Sequence, residues 1–350
     1  MLAQVTHVLP LTLIRRGRLL PCVGNVLVTV GQNVIATDIL AEATLPGKHY
    51  IVDVYRALGI AHSNKTIQYI ERKVGEKLQK GDSIAETGGL FRRVVRSPVD
   101  GEIKVILGGQ VVIELAGSPV QLLAGLSGIV AEIIPGRGAI LETSGVLVQA
   151  GWGNGQINMG PLISLAETPE DELKPEQLQT SHNGSVVLSG YCSQAKVLYL
   201  ASEVSLRGLI LGSMSSDLIP LARKLAFPVI LLEGFGTIPM NKNAFTILTT
   251  NQKRDAAINA SAWDDFNGER PEVTITLPAD GEPPPETDNL KEGQRVRIQG
   301  EPYPGMIGTL IRIRQESTLL SNGLRVQSAD VRLEDNQQVA VPLLNLDVLE

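Results

Sequence analysis

Residues 74–86 read VGEKLQKGDSIAE, and residues 30–42 read VGQNVIATDILAE. The segments are offset by 44 residues, and five of their 13 aligned positions are identical: Val30/Val74, Gly31/Gly75, Asp38/Asp82, Ala41/Ala85 and Glu42/Glu86. Each copy reads as a strand, a turn at Val-Gly, a second turn ending at Asp, and another strand. Gly and Asp supply the turn geometry, and short aliphatic runs lie between them. Downstream, residues 128–134 (GIVAEII) echo residues 101–106 (GEIKVI). Two similar β-units predict a barrel or sandwich built of quasi-equivalent halves.

Composition agrees with short aliphatic strands joined by tight turns. Glycine accounts for 35 of the 350 residues, above the usual share of about 7%, whereas Trp, Tyr and Phe number only 2, 6 and 5. A chain of this length is expected to hold two to four domains. The uncharged run over 116–131 is broken by Gly117, Pro119, Gly125 and Gly128, and no stretch has the roughly 20 apolar residues of a membrane helix. Arg15, Arg16 and Arg18 follow the first apolar residues instead of preceding them, so no signal peptide is expected. Cys22 and Cys192 are too few for a disulfide framework. A bacterial-type cytoplasmic protein is the expectation. The net charge of -6 gives no overall pull toward nucleic acid or anionic membrane.

The second copy continues into Ser97, Pro98, Gly101 and Ile103. With Val74, Gly75, Leu78, Gly81 and Ile84, these residues resemble the biotinyl/lipoyl-carrier family, the barrel-sandwich hybrid. The resemblance is strong over about 30 residues and looser over 20–115. That family carries its cofactor on a lysine in the hairpin between the two motifs. Here the hairpin is Thr87-Gly88-Gly89-Leu90-Phe91-Arg92-Arg93-Val94 and holds no lysine. No covalent biotin or lipoyl is therefore expected, and an intact mass showing either adduct on protein from its native host would overturn this.

Residues 135–138 (PGRG) and 151–155 (GWGNG) read as hairpins and loops, and 168–183 as a polar connector. The period then changes. Apolar runs at 186–189, 208–212 and 227–232 alternate with helical patterns at 195–203, from Ser215-Ser216-Asp217 through Leu225, and near 241–250. Such alternation predicts a small parallel α/β domain. Ligands in such sheets lie beyond the strand C-termini, which makes Ser213, Ser215, Asp217, Glu233, Gly234 and Gly236 the ligand-binding candidates.

Residues 278–285 (PADGEPPP) have the composition of a linker. Beyond it, Gly293, Val296, Ile298, Pro302, Gly305, Gly308 and Leu310 resemble the KOW/SH3-like module of transcription elongation factors and ribosomal proteins. The resemblance covers about residues 290–350. It implies contact with RNA or a protein. Arg295 and Arg297 share one strand face, as do Arg312 and Arg314, and Tyr303 offers an aromatic ring near the turn; these five are the RNA- or partner-binding candidates. Residues 286–350 nevertheless carry seven basic and ten acidic side chains, whereas nucleic-acid-binding domains are usually basic.

Other chemistry finds little support. The 151–155 loop lacks the Gly-Lys-Ser/Thr ending of a phosphate loop, and Trp152 is expected to cover a barrel end. Gly108-Gly109-Gln110 is read as a hairpin turn. His7, His49, His62 and His182 are dispersed, and no G-x-S-x-G elbow occurs. Cys22 is expected as a buried filler and Cys192 as a weak nucleophile candidate near a strand end. No catalytic residue, metal or cofactor is assigned.

The expected fold is multidomain and mainly β. It comprises a barrel-sandwich hybrid over 1–117, a Gly-rich β segment and connector over 118–180, a small α/β domain over 181–277, a linker over 278–289 and a KOW/SH3-like barrel over 290–350. The expected function is a non-catalytic scaffold or adaptor whose last module meets a protein or ribonucleoprotein. The alternatives are an accessory subunit of a multisubunit enzyme with a ligand-binding α/β domain, and an RNA-binding protein.

Overall fold

The computed structural model describes residues 2–60, 68–88, 92–263, 269–279, 281–285, 287–300, 302–320 and 323–350. His62, the hairpin tip at Gly89, Leu90 and Phe91, and linker positions 280 and 286 lie outside the described residues. The fold is mainly β, with several sheets. The chain forms two compact units: Met1–Leu19, Leu27–Leu40 and Leu123–Glu350 make the larger, and Leu20–Val26 with Ala41–Leu122 make the smaller.

The two repeat copies match bond for bond. Gly31 N donates to Val130 O at 2.8 Å, and Gly75 N donates to Ile103 O at 2.8 Å. Val130 N returns a bond to Gln32 O, as Ile103 N does to Glu76 O, both at 2.9 Å. Each second turn closes on its aspartate: Ile35 N donates to Asp38 Oδ2 at 2.8 Å, and Gln79 N to Asp82 Oδ2 at 2.9 Å. Gly31 and Gly75 sit at φ of 82° and 91°, where a Cβ would crowd the following carbonyl. The short strands Asn33–Val34 and Lys77–Leu78 pair with Gly128–Ile134 and Gly101–Leu107, in the registers Gly128↔Val34 and Gly101↔Leu78. Both long strands bulge at the same place, between Val130 and Glu132 and between Ile103 and Val105.

The repeats are therefore nested. The first copy is completed by residues 128–142, and the whole second copy lies between its halves in the sequence. The cores correspond as well: Val34, Leu40, Val130 and Leu141 are buried in one, and Leu78, Ile84, Ile103 and Ile113 in the other. Each such side chain contributes about 1.5–3 kcal/mol. Gly108 and Gly109, both at positive φ, make the two-residue turn from Gly101–Leu107 to Gln110–Glu114.

In the larger unit an 11-stranded sheet contains Ile157–Ser164, Val186–Cys192, Gly208–Met214 and Val229–Phe235, neighbours running parallel. These strands are apolar on both faces because both are covered. Val186, Leu188, Ile210 and Ile230 pack with Ala244 and Leu248 of the helix Lys242–Thr250. Val187, Leu209, Leu211 and Val229 pack with Val197, Leu198 and Ala201 of the helix Ala195–Glu203. The helix expected from Ser215 onward is only a 3-10 turn, Ser216–Leu218, and the four-residue Ile219–Ala222. Ser215 makes no side-chain cap. Leu218, Ala222 and Leu225 are buried all the same, so the apolar spacing marks the buried side without guaranteeing a helix. Trp152 pairs opposite Leu231 and meets the Phe235 ring edge-on at 5.7 Å. It covers the parallel sheet, not the expected barrel end.

A seven-stranded sheet includes both chain ends. Its order is Thr287–Asn289, Leu2–Thr6, Leu346–Leu349, Arg295–Ile298, Ile307–Ile313, Ser328–Leu333 and Gln338–Pro342. Thr287–Asn289 falls in the segment expected as linker, yet it pairs antiparallel with Leu2–Thr6. Among the described residues, no helix is long and apolar enough to cross a membrane.

Candidate functional site

Gly234, near the end of the strand Val229–Phe235, and Gly236, in the loop that follows it, take φ of 109° and 111°. That loop leads to Asn241, whose Oδ1 caps the helix Lys242–Thr250 by accepting from Asn243 N at 2.8 Å and Ala244 N at 3.3 Å. Asn241 N donates to Glu233 Oε1 at 3.0 Å. Glu233 is thus drawn inward, and its side chain is 4% exposed.

Its other oxygen meets Arg297. The guanidinium donates to Glu233 Oε2 at 3.1 Å and to Leu232 O at 3.0 Å, and lies 3.3 Å from Asp347 Oδ2. Thr6 Oγ1 accepts from Arg297 at 3.5 Å, and Gln299 donates to Asp347. Burial disfavours the Arg297 charge, but the carboxylates of Glu233 and Asp347 outweigh it and raise the pKa above its ordinary value. A ligand candidate and a partner candidate therefore neutralise each other in a buried cluster.

The remaining candidates do not converge on one ligand position. Ser213 is buried and donates to Ile238 O at 2.8 Å. Ser215 is half-buried, and Asp217 is exposed on the 3-10 turn. Arg295 and Arg297 stand two apart on one strand, but Leu232 and Glu233 cover only Arg297; the side chains are 42% and 8% exposed. Arg295 pairs with Glu334 at 3.1 Å. Arg312 and Arg314 both hold Asp330, at 2.8 and 2.6 Å. Hydrogen bonding from Arg314, followed by that from Arg312, keeps the Asp330 carboxyl below its ordinary range despite burial. Tyr303 packs, half-buried, against the core that contains Val296 and Leu310. Each of the four arginines has a carboxylate partner.

Glu233 and Arg295 instead line a groove of about 480 Å³, open to solvent. Its apolar walls are Ile238 and Pro239 from the loop after the parallel strand, and Pro304, Met306 and Ile307 from the turn of the C-terminal module. The walls meet closely: a Cβ on Gly305 would lie 3.0 Å from Ile238 Cγ2. Glu170, Lys242, Glu334 and Asp335 add charge around the groove. Sequence reasoning missed all of these except the two ends, because nothing in either segment's pattern announces the other.

Cys192 ends the strand Val186–Cys192, fully buried, and burial pushes its thiol up to about 11. It is a protonated core thiol at neutral pH, which removes it as a nucleophile candidate. Cys22 is half-buried, not buried, and its thiol donates to Thr44 O at 3.8 Å. No family model matches the chain, and no curated protein matches it significantly.

Proposed function

We propose that the chain is a non-catalytic adaptor that docks a protein segment in the groove between the loop after the last parallel strand and the turn of its C-terminal module. The carrying observation is the pairing of Arg297 with Glu233, which places the module's turn against the loop and leaves an apolar groove beside it. The finer fold reading belongs to the same proposal. The matched turns of the two repeats support a barrel-sandwich hybrid in duplicate, and the antiparallel strands Arg295–Ile298, Ile307–Ile313, Ser328–Leu333 and Gln338–Pro342 support a KOW/SH3-like module. Protein contact is favoured over RNA because the four candidate arginines, Arg295, Arg297, Arg312 and Arg314, already serve carboxylates, whereas phosphate binding needs free cationic heads.

The test places a photo-reactive residue at Met306, which is 39% exposed in the groove, and a control at Leu319, outside it. A discrete protein adduct from Met306 alone supports the proposal. A mobility shift of structured RNA at micromolar protein and low salt, weakened by Arg295→Ala or Arg312→Ala, would replace protein docking with RNA binding.

A further inference from the structure

We propose that two copies of the chain associate through the strand His49–Asp53 of the smaller unit, paired antiparallel about a two-fold axis at Ile51. This strand is the edge of a four-stranded sheet, and its one neighbour is Gln110–Glu114, with Val112 opposite Ile51. Val54 N donates to Gly109 O, and Leu115 N to Lys48 O. Antiparallel bonding alternates, so residues 48, 50, 52 and 54 face that neighbour. The N–H and C=O groups of His49 and Ile51 and the N–H of Asp53 point away from it, and among the described residues they have no other backbone partner; the Asp53 C=O instead begins the helix Val54–Leu58, for which Asp53 is the N-cap.

The nested repeat supplies an internal control. In the first copy the equivalent strand is Val8–Leu19, which sets Arg15, Arg16, Gly17 and Arg18 opposite Glu142, Leu141, Ile140 and Ala139. In the second copy, His49, Tyr50, Ile51 and Val52 occupy those places opposite Glu114, Ile113, Val112 and Val111. Charged side chains on a strand edge discourage pairing with another chain. One copy carries Arg15 exposed there, with Arg16 and Arg18 turned into ion pairs with Glu272 and Glu269; the other carries aromatic and β-branched residues. Tyr50 and Ile51 are 44% and 59% exposed, and Ile51 opens an outer row that continues through Val112 to Val105, itself 43% exposed.

The strand complements itself, which identifies the occupant. Antiparallel pairing centred on Ile51 sets Ile51 against the partner's Ile51 and Tyr50 against the partner's Val52. It also sets His49 against the partner's Asp53. The N–H and C=O of each Ile51 then bond across the axis, and the Asp53 N–H of each strand meets the partner's His49 C=O. The apolar row runs on across the axis, and at each end the imidazole meets a carboxylate whose Oδ1 already accepts from Arg56 N as the cap of the helix Val54–Leu58, leaving its other oxygen for the partner.

Sedimentation velocity of the full chain, followed by hydrogen exchange, tests this. A concentration-dependent dimer is expected, with the amides of residues 51 and 53 gaining protection as it forms. Ile51→Lys, at an exposed position, and His49→Asp, which would face the partner's Asp53, are each expected to raise the dissociation constant at least about tenfold. His49→Lys is expected to retain the dimer. A monomer at every concentration up to about 100 µM, which would exclude even weak association, overturns the proposal. So does a dimer indifferent to Ile51→Lys or without protection at residues 51 and 53.

Discussion

Arg297→Met is the most informative single change in the larger unit. Methionine keeps the unbranched stem but removes the guanidinium, so Glu233 and Asp347 stay behind with side chains only 4% and 10% exposed. Removing one partner of a buried ion pair costs about 3–5 kcal/mol, because the remaining charge is left without compensation. Leu232 O also loses its donor. Arg297→Lys keeps the charge without the planar fork and should cost less, about 1–3 kcal/mol. Glu233→Gln in the Arg297→Met background should be less harmful than the two single changes added together, since it removes a charge already stranded. Urea unfolding followed by tryptophan fluorescence reads these values, with Trp152 packed on the parallel sheet. With a slope of about 3 kcal/mol per molar, the Arg297→Met midpoint falls by about 1–1.7 M. A variant within about 0.5 kcal/mol of the parent would refute the reasoning, because the cluster would then stabilise nothing and could not fix the groove wall.

Three further outcomes follow from the same geometry. Gly31→Ala and Gly75→Ala should each cost about 1–2 kcal/mol from backbone strain alone, and by similar amounts, since an added Cβ meets nothing within 4 Å at either position; thermal melts that separate the two widely would break the equivalence of the repeats. Asp330 has a folded pKa below its unfolded one, so its contribution is present above the ordinary carboxylate range and is lost as pH falls through the lowered value. Asp330→Asn should therefore flatten the acid side of the stability profile measured by urea titration from neutral pH downward. Replacing residues 43–120 by a short glycine-containing turn should leave the larger unit cooperatively folded, because its contacts lie within residues outside that stretch; loss of the cooperative far-ultraviolet melt would show the units to be interdependent.

What could be read from the residues alone depends on how far apart the interacting groups lie. The helix Ala195–Glu203 was legible because 3.6-residue periodicity is a local property. The turns at Gly31 and Gly75 were legible because a positive φ is written into one residue type. The echo between Gly101 and Gly128 was visible too, but not its meaning. Gly31 bonds to Val130, far along the chain, and no pattern of turns says which glycine strand completes which copy. Arg297 and Glu233 expose a sharper limit. The residues alone make Glu233 a ligand candidate and Arg297 an RNA or partner candidate, because charged side chains are seldom buried unless paired, and the pairing is the one fact a linear reading does not contain. The same logic runs in reverse at His49–Asp53. Tyr50, Ile51 and Val52 have the composition of a buried strand, and only the register with Gln110–Glu114 shows that they lie at an edge with Ile51 half in solvent. Burial of a charge and exposure of an apolar strand are both departures from composition-based expectation. At Arg297 the departure is resolved inside the chain, by two carboxylates. At Ile51 nothing among the described residues of its own sheet resolves it, which is why that edge, and not the arginine cluster, calls for a second copy.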